Sequence, residues 1–106
     1  MTLKLGLLEI INSKDNDLKK ISADKTTLEI MLLFYKYGLE NRDIISADKF
    51  LDENKIDASR SKKISIIQNL EKDNIIERKV NGEDKRSKKI YIVKEIKEKI
   101  KKYLAT

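Results

Sequence analysis

Two stretches of the chain concentrate side chains that bind polyanions. The first is Ala58-Ser-Arg-Ser-Lys-Lys-Ile-Ser65, where small hydroxyls alternate with long cations. The second is segment 78–89, in which Arg78, Lys79, Lys85, Arg86, Lys88 and Lys89 outnumber Glu83 and Asp84, a local net charge of +4. Hydroxyls approach phosphates and base edges closely. Arginine reads guanine O6 and N7 with paired hydrogen bonds, and lysine contacts phosphate or guanine. The whole chain has 24 Lys and Arg against 18 Asp and Glu, net +6. Residues 1–54 carry net −2 and residues 55–106 net +8. Such asymmetry predicts a polyanionic partner for the C-terminal half. The competing reading is a lysine-rich solvated surface.

Other chemistries are poorly supplied. There is no His and no Cys, hence no imidazole base, no Ser-His-Asp triad, no thiolate or imidazole metal site and no disulfide framework. Glycine occurs only at 6, 38 and 82, so no Gly-rich phosphate loop exists. The carboxylates are scattered. We therefore expect no enzymatic activity, no catalytic residues, no cofactor and no metal. The longest uncharged apolar run, Ile30 to Tyr35, is far short of a membrane span. No secretory leader opens the chain, so a cytoplasmic location is the expectation.

The 106 residues predict one domain, 1–106, with a small core for its surface, which favours dimerisation. Leu3, Leu7, Ile10 and Ile11 have helical spacing over 3–12. Polar Ser13 to Lys20 reads as a loop. Ser22 is the expected N-cap of a helix running to about Tyr37, apolar nearly all round and so central to the fold, with Gly38 as its left-handed C′ residue. Ile44 and Ile45 read as a very short strand. Ser46 caps a short helix with Phe50 and Leu51 inward. After a turn at Asn54 to Ile56, Asp57 or Ser59 caps a helix over about 58–72, with Ile64, Ile67 and Leu70 inward. Asn74 stands where a left-handed residue would end it. The period then changes to alternation in Ile76 to Val80. Asn81-Gly82 signals a hairpin turn, and Lys88 to Val93 supplies the second strand. Val93, Ile96, Ile100, Tyr103 and Leu104 line a C-terminal helix over about 94–104, with Glu95/Lys99 and Glu98/Lys102 as i,i+4 pairs.

This order predicts a mainly α (α+β) fold. It is a winged helix-turn-helix, with the helix pair over about 46–72, a two-stranded β-hairpin wing over about 75–93, and N- and C-terminal dimerisation helices. In that motif the second helix enters the major groove with its N-terminal residues nearest the bases. Ser59, Arg60, Ser61, Lys62, Lys63, Ser65 and Gln68 are the expected contacts there. Lys85, Arg86 and Lys88 are expected at the wing, with Arg86 inserted into a narrow minor groove, whose concentrated negative potential favours arginine. The apolar stripes Leu3/Leu7/Ile10 and Ile96/Ile100/Tyr103 are the expected dimerisation seams.

The stretch Asn69-Leu-Glu-Lys-Asp-Asn-Ile-Ile-Glu-Arg78, followed by Asn81-Gly-Glu-Asp-Lys-Arg-Ser-Lys-Lys-Ile-Tyr-Ile92, resembles the MarR-type winged-helix regulators. Asp84-Lys85-Arg86 matches their Asp-x-Arg wing. Asn74 stands where they usually have Gly, and Lys63 where they commonly have an aliphatic core residue. The resemblance reaches back to Thr26, about three quarters of the chain. The length is closer to the SarA-like branch. The resemblance implies a symmetric dimer on pseudo-palindromic operator DNA, a recognition helix over 58–72 and a wing arginine at Arg86. The leading expectation is a dimeric, sequence-specific double-stranded DNA-binding regulator, most simply a repressor. Two alternatives stay open. One is a plasmid or phage partition or replication-control adaptor, which binds centromere-like repeats and a protein partner. The other is a winged-helix protein-interaction module.

Overall fold

The longest uncharged apolar run of the chain, Ile30 to Tyr35, lies in its longest helix and at the centre of its core. A computed structural model describes residues 2–80 and 88–104, with side chains from Gly6 onward. Its elements are α1 (Thr2–Ile11), α2 (Asn16–Ile21), α3 (Lys25–Leu39), α4 (Ala47–Glu53), α5 (Arg60–Lys72), β1 (Ile76–Val80), β2 (Lys88–Ile92) and α6 (Lys94–Leu104). This is a small α+β fold. Ile30, Met31, Phe34, Tyr35 and Tyr37 of α3 are all buried. Leu18 and Ile21 of α2, Phe50 and Leu51 of α4, Ile66, Ile67 and Leu70 of α5, and Ile76 and Ile90 of the hairpin belong to the same continuous core. The Phe50 ring meets Phe34 and Tyr37 edge-on, at 4.6 and 5.4 Å between centroids, an arrangement that suits aromatic quadrupoles.

The sequence reading needs correction in the first forty residues. Ser13 to Lys20 is not a loop throughout, since α2 begins at Asn16 and runs to Ile21. A six-residue helix is too short to persist alone. Asp15 caps it by accepting from the Asp17 and Leu18 N–H groups at 2.9 and 3.1 Å. Lys99 of α6 then bridges Asp15 and Asp17 at 2.8 and 3.0 Å, so the expected Glu95/Lys99 pairing gives way to a contact between elements. Ser22 does not start α3. It ends α2, its Oγ donating to the Leu18 carbonyl at 2.7 Å, and Asp24 caps α3 through the Thr27 N–H at 2.8 Å. A carboxylate there also complements the helix dipole better than a hydroxyl does. Gly38 lies within α3. The left-handed residue that ends the helix is Asn41 (φ 55), and the Arg42 N–H closes the turn on the Tyr37 carbonyl at 2.8 Å.

The second half follows the sequence closely. Ser46 and Ser59 cap α4 and α5, their side chains accepting from Lys49 and Lys62 N–H groups. Asn74 takes the left-handed conformation (φ 61) after α5. β1 and β2 pair antiparallel with Ile76 opposite Ile92, Arg78 opposite Ile90 and Val80 opposite Lys88. The expected strand at Ile44 and Ile45 is a single bridge, in which the Ile90 N–H donates to the Ile44 carbonyl at 2.8 Å. The Asn81-Gly82 turn lies outside the described residues.

α1 packs against α6. Their backbones approach so closely at Gly6 that a Cβ there would run into the Tyr103 carbonyl. The residues expected at a dimer seam are therefore placed differently. Ile10, Ile96 and Ile100 are buried in the chain's own core, and Leu7 and Tyr103 are half-buried. The Leu3 side chain lies outside the described residues. Among the described side chains of α1, the apolar ones left exposed are Leu8 and Ile11. No described helix is long and apolar enough to cross a membrane.

Candidate nucleic-acid interface

The inner face of α5 fixes which of its residues point outward. Ile66, Ile67 and Leu70 are buried and Ile64 is half-buried. On the opposite side, Ser61, Ser65, Gln68 and Lys72 recur at helical spacing and are exposed, flanked by exposed Lys62 and Asn69. This face carries two cations, hydroxyls and amides, and no acid. Asn69 and Lys72 were absent from the expected contacts. The i,i+4 and i,i+7 steps from Ser65 were the signal that would have found them.

Arg60 and Lys63 do not lie on this face. The Arg60 guanidinium turns back to α4, with Nη2 donating to Asp48 Oδ1 at 2.9 Å and Nη1 to Asp52 Oδ1 at 3.0 Å. Nη2 also reaches the Asp48 carbonyl at 3.4 Å. These bonds, Asp48 first and then Asp52, hold its pKa above the usual value. Lys63 is half-buried, and its Nζ donates to the Ile56 carbonyl at 3.3 Å. Its stem thus takes the place of an aliphatic residue while its ammonium satisfies a carbonyl in the turn. Arg60 thus joins α5 to α4, and Lys63 joins α5 to the turn between them.

A second network anchors α4 to α3. The Tyr37 hydroxyl donates to Glu53 Oε2 at 3.0 Å and accepts from Asn54 Nδ2 at 2.8 Å and Arg42 Nη2 at 3.3 Å. Asn54 Nδ2 also donates to the Phe50 carbonyl at 2.8 Å, satisfying the open end of α4. Arg42 pairs with Glu53 at 3.0 Å and lies 4.1 Å over the Tyr37 ring, which suits a cation–π contact. Beside α5, Asp24 is held below the usual carboxyl range chiefly by the Thr27 N–H, with a smaller contribution from the Lys62 charge.

The hairpin's cations are partly engaged as well. Arg78 Nε meets both carboxylate oxygens of Glu71 at 3.1 Å, tying β1 to α5. Lys79 pairs with Glu77 at 2.9 Å and Lys89 with Asp43 at 2.8 Å. The Asp43 bond raises the Lys89 pKa. Lys88 is exposed at the start of β2. Lys85 and Arg86, with Glu83 and Asp84, lie outside the described residues. Behind the hairpin, a cavity of about 410 Å³ opens between the end of α3, Ile44, β2 and Lys97. No residue of α5 lines it. Among the described residues, no cluster of three or more acidic or metal-ligating side chains could hold a metal.

The chain matches no family profile, no curated protein and no solved structure.

Proposed function

We propose that the chain is a winged helix-turn-helix protein that binds double-stranded DNA as a homodimer and acts as a sequence-specific regulator, most simply a repressor. The observation that carries this reading is the outward face of α5. It is acid-free, bears Ser61, Lys62, Ser65, Gln68, Asn69 and Lys72, and is braced from behind by α4, the turn after it and β1, through Arg60, Lys63 and Arg78 respectively. A rigid helix with an uncommitted polar and cationic face suits a major groove. Lys62 and Lys72 supply phosphate contacts, and the hydroxyls and amides supply contacts to base edges. The hairpin follows this helix, and the basic segment 85–88, which leads into β2 in the sequence, is the candidate for the adjacent minor groove.

The dimer follows from function and from surface. One short helix face contacts few base pairs, and two-fold duplication doubles the site. Leu8 and Ile11, 50% and 47% exposed on α1, are the apolar contacts that a second copy would cover. Duplex binding to the upstream region of its own gene, compared with random DNA across a salt series, tests the reading. Specific, salt-sensitive binding by a two-chain complex is expected. A footprint over one palindrome supports regulation, and absence of duplex binding at low salt rejects the proposal.

A further inference from the structure

We propose that α5 reads adenine rather than guanine, with Gln68 as the base-reading residue and Arg60 held away from the bases by Asp48 and Asp52. This rests on the DNA-binding reading above and names the duplex chemistry that the same face recognises. Bidentate arginine to guanine is the commonest specific contact in a major groove. In this chain Arg60 is the arginine of α5 and occupies its first turn. Both of its terminal nitrogens already donate to carboxylates, at 2.9 and 3.0 Å. A cation in the first turn also opposes the helix dipole, and α5 has no acid there to offset it. Asp48 and Asp52 provide that offset from α4. Releasing Arg60 to a base would leave two carboxylates without a partner beside a phosphate backbone, which disfavours release.

What remains outermost on the first three turns is Ser61, Ser65 and Gln68, with Lys62 on the flank nearest Asp24 and Lys72 at the far end. The two serines are short and let the helix axis approach the base edges. The Gln68 amide then supplies one acceptor and one donor, the complement of adenine N6 and N7. The lysines at the margins reach phosphates, which fix position without reading sequence.

The test is selection from a random duplex pool by the wild-type protein, Gln68→Ala and Arg60→Gln, with circular dichroism confirming that each is folded. Expected for the wild type is an adenine at one fixed position in each half-site. Its replacement by guanine, or by 7-deazaadenine, which lacks the N7 acceptor, lowers affinity about tenfold or more. Gln68→Ala loses that preference at an unchanged salt slope, because no charge is removed. Arg60→Gln keeps it. Enrichment of guanine by the wild type that Arg60→Gln abolishes overturns the proposal, as does an unchanged adenine preference in Gln68→Ala. Steep salt-dependent binding without base preference rejects the adenine assignment alone. No duplex binding by the wild type rejects the DNA reading and this inference together.

Discussion

Tyr37→Phe isolates the polar network that seats α4, the helix behind the proposed reading face. The ring is 3% exposed and its packing against Phe50 survives the change. The hydroxyl is lost, and with it the bond to Glu53 and those from Asn54 and Arg42. Glu53 retains Arg42 at 3.0 Å, and Asn54 retains the Phe50 carbonyl. A neutral hydrogen bond contributes about 1 kcal/mol net and one to a charged partner about 1.5–3. With Glu53 and Arg42 partly solvated, the lower end applies, so the variant should lose about 2 kcal/mol. For a chain of this size that lowers Tm by about 10 °C. Urea unfolding followed by circular dichroism reads it directly. Tyr35→Phe is the matched control: it is 7% exposed, but its hydroxyl has no hydrogen-bond partner among the described residues. Its stability should stay within about 0.5 kcal/mol of wild type. Equal losses in the two variants would refute the role given to the network.

Gly6→Ala should destabilise the chain by about 1–3 kcal/mol in the same assay, because the added methyl meets the Tyr103 backbone and not a flexible side-chain end. The Asp15 carboxyl is held below its ordinary value of 3.8, first by Lys99 and then by the Leu18 N–H. Its contribution is therefore fully present above the unfolded value and is lost as pH falls through the lowered folded one. Asp15→Asn keeps a capping side chain but loses the charge that pairs with the half-exposed Lys99, so it should cost up to about 1 kcal/mol at neutral pH and flatten the acid limb of the stability profile. At the alkaline end Lys99, raised to about 12 chiefly by Asp15, contributes below its unfolded value and ceases to as pH passes through about 12. Lys62→Gln should reduce the salt slope of duplex binding by about two phosphates' worth, one for each subunit of the dimer, and an unchanged slope would remove Lys62 from the interface.

The second half of the fold was legible because its signals are local. Ser46 stands alone before a helix, Asp57 and Ser59 place the next helix start within two residues, Asn74 follows a finished apolar stripe, and the alternation in 76–80 admits no helix. The first half was harder. Ser22 and Asp24 are both good caps two residues apart, and only the position of α2 decides between them. α2 itself has two apolar residues in a charged segment, and much of its support comes from Lys99, 82 residues beyond Asp17. Gly38 and Asn41 compete in the same way to end α3. At the candidate site the sequence identified the helix but not the direction of each cation. Arg60 and Lys63 are charged and near the helix start, yet their partners Asp48, Asp52 and the Ile56 carbonyl belong to the preceding segment. No local rule brings those partners together. The seam residues show the same ambiguity: an apolar stripe marks burial without saying whether the covering surface belongs to the same chain, and Ile10, Ile96 and Ile100 cover one another's helices.

The most direct test of the central claim is duplex affinity for the full chain across 50 to 200 mM salt. If a dimer neutralises about 6–10 phosphates, affinity falls about 10³–10⁵-fold over that range, with a preferred fragment bound more tightly than random DNA throughout. Undetectable binding at 50 mM, or affinity that does not change with salt, would contradict the account.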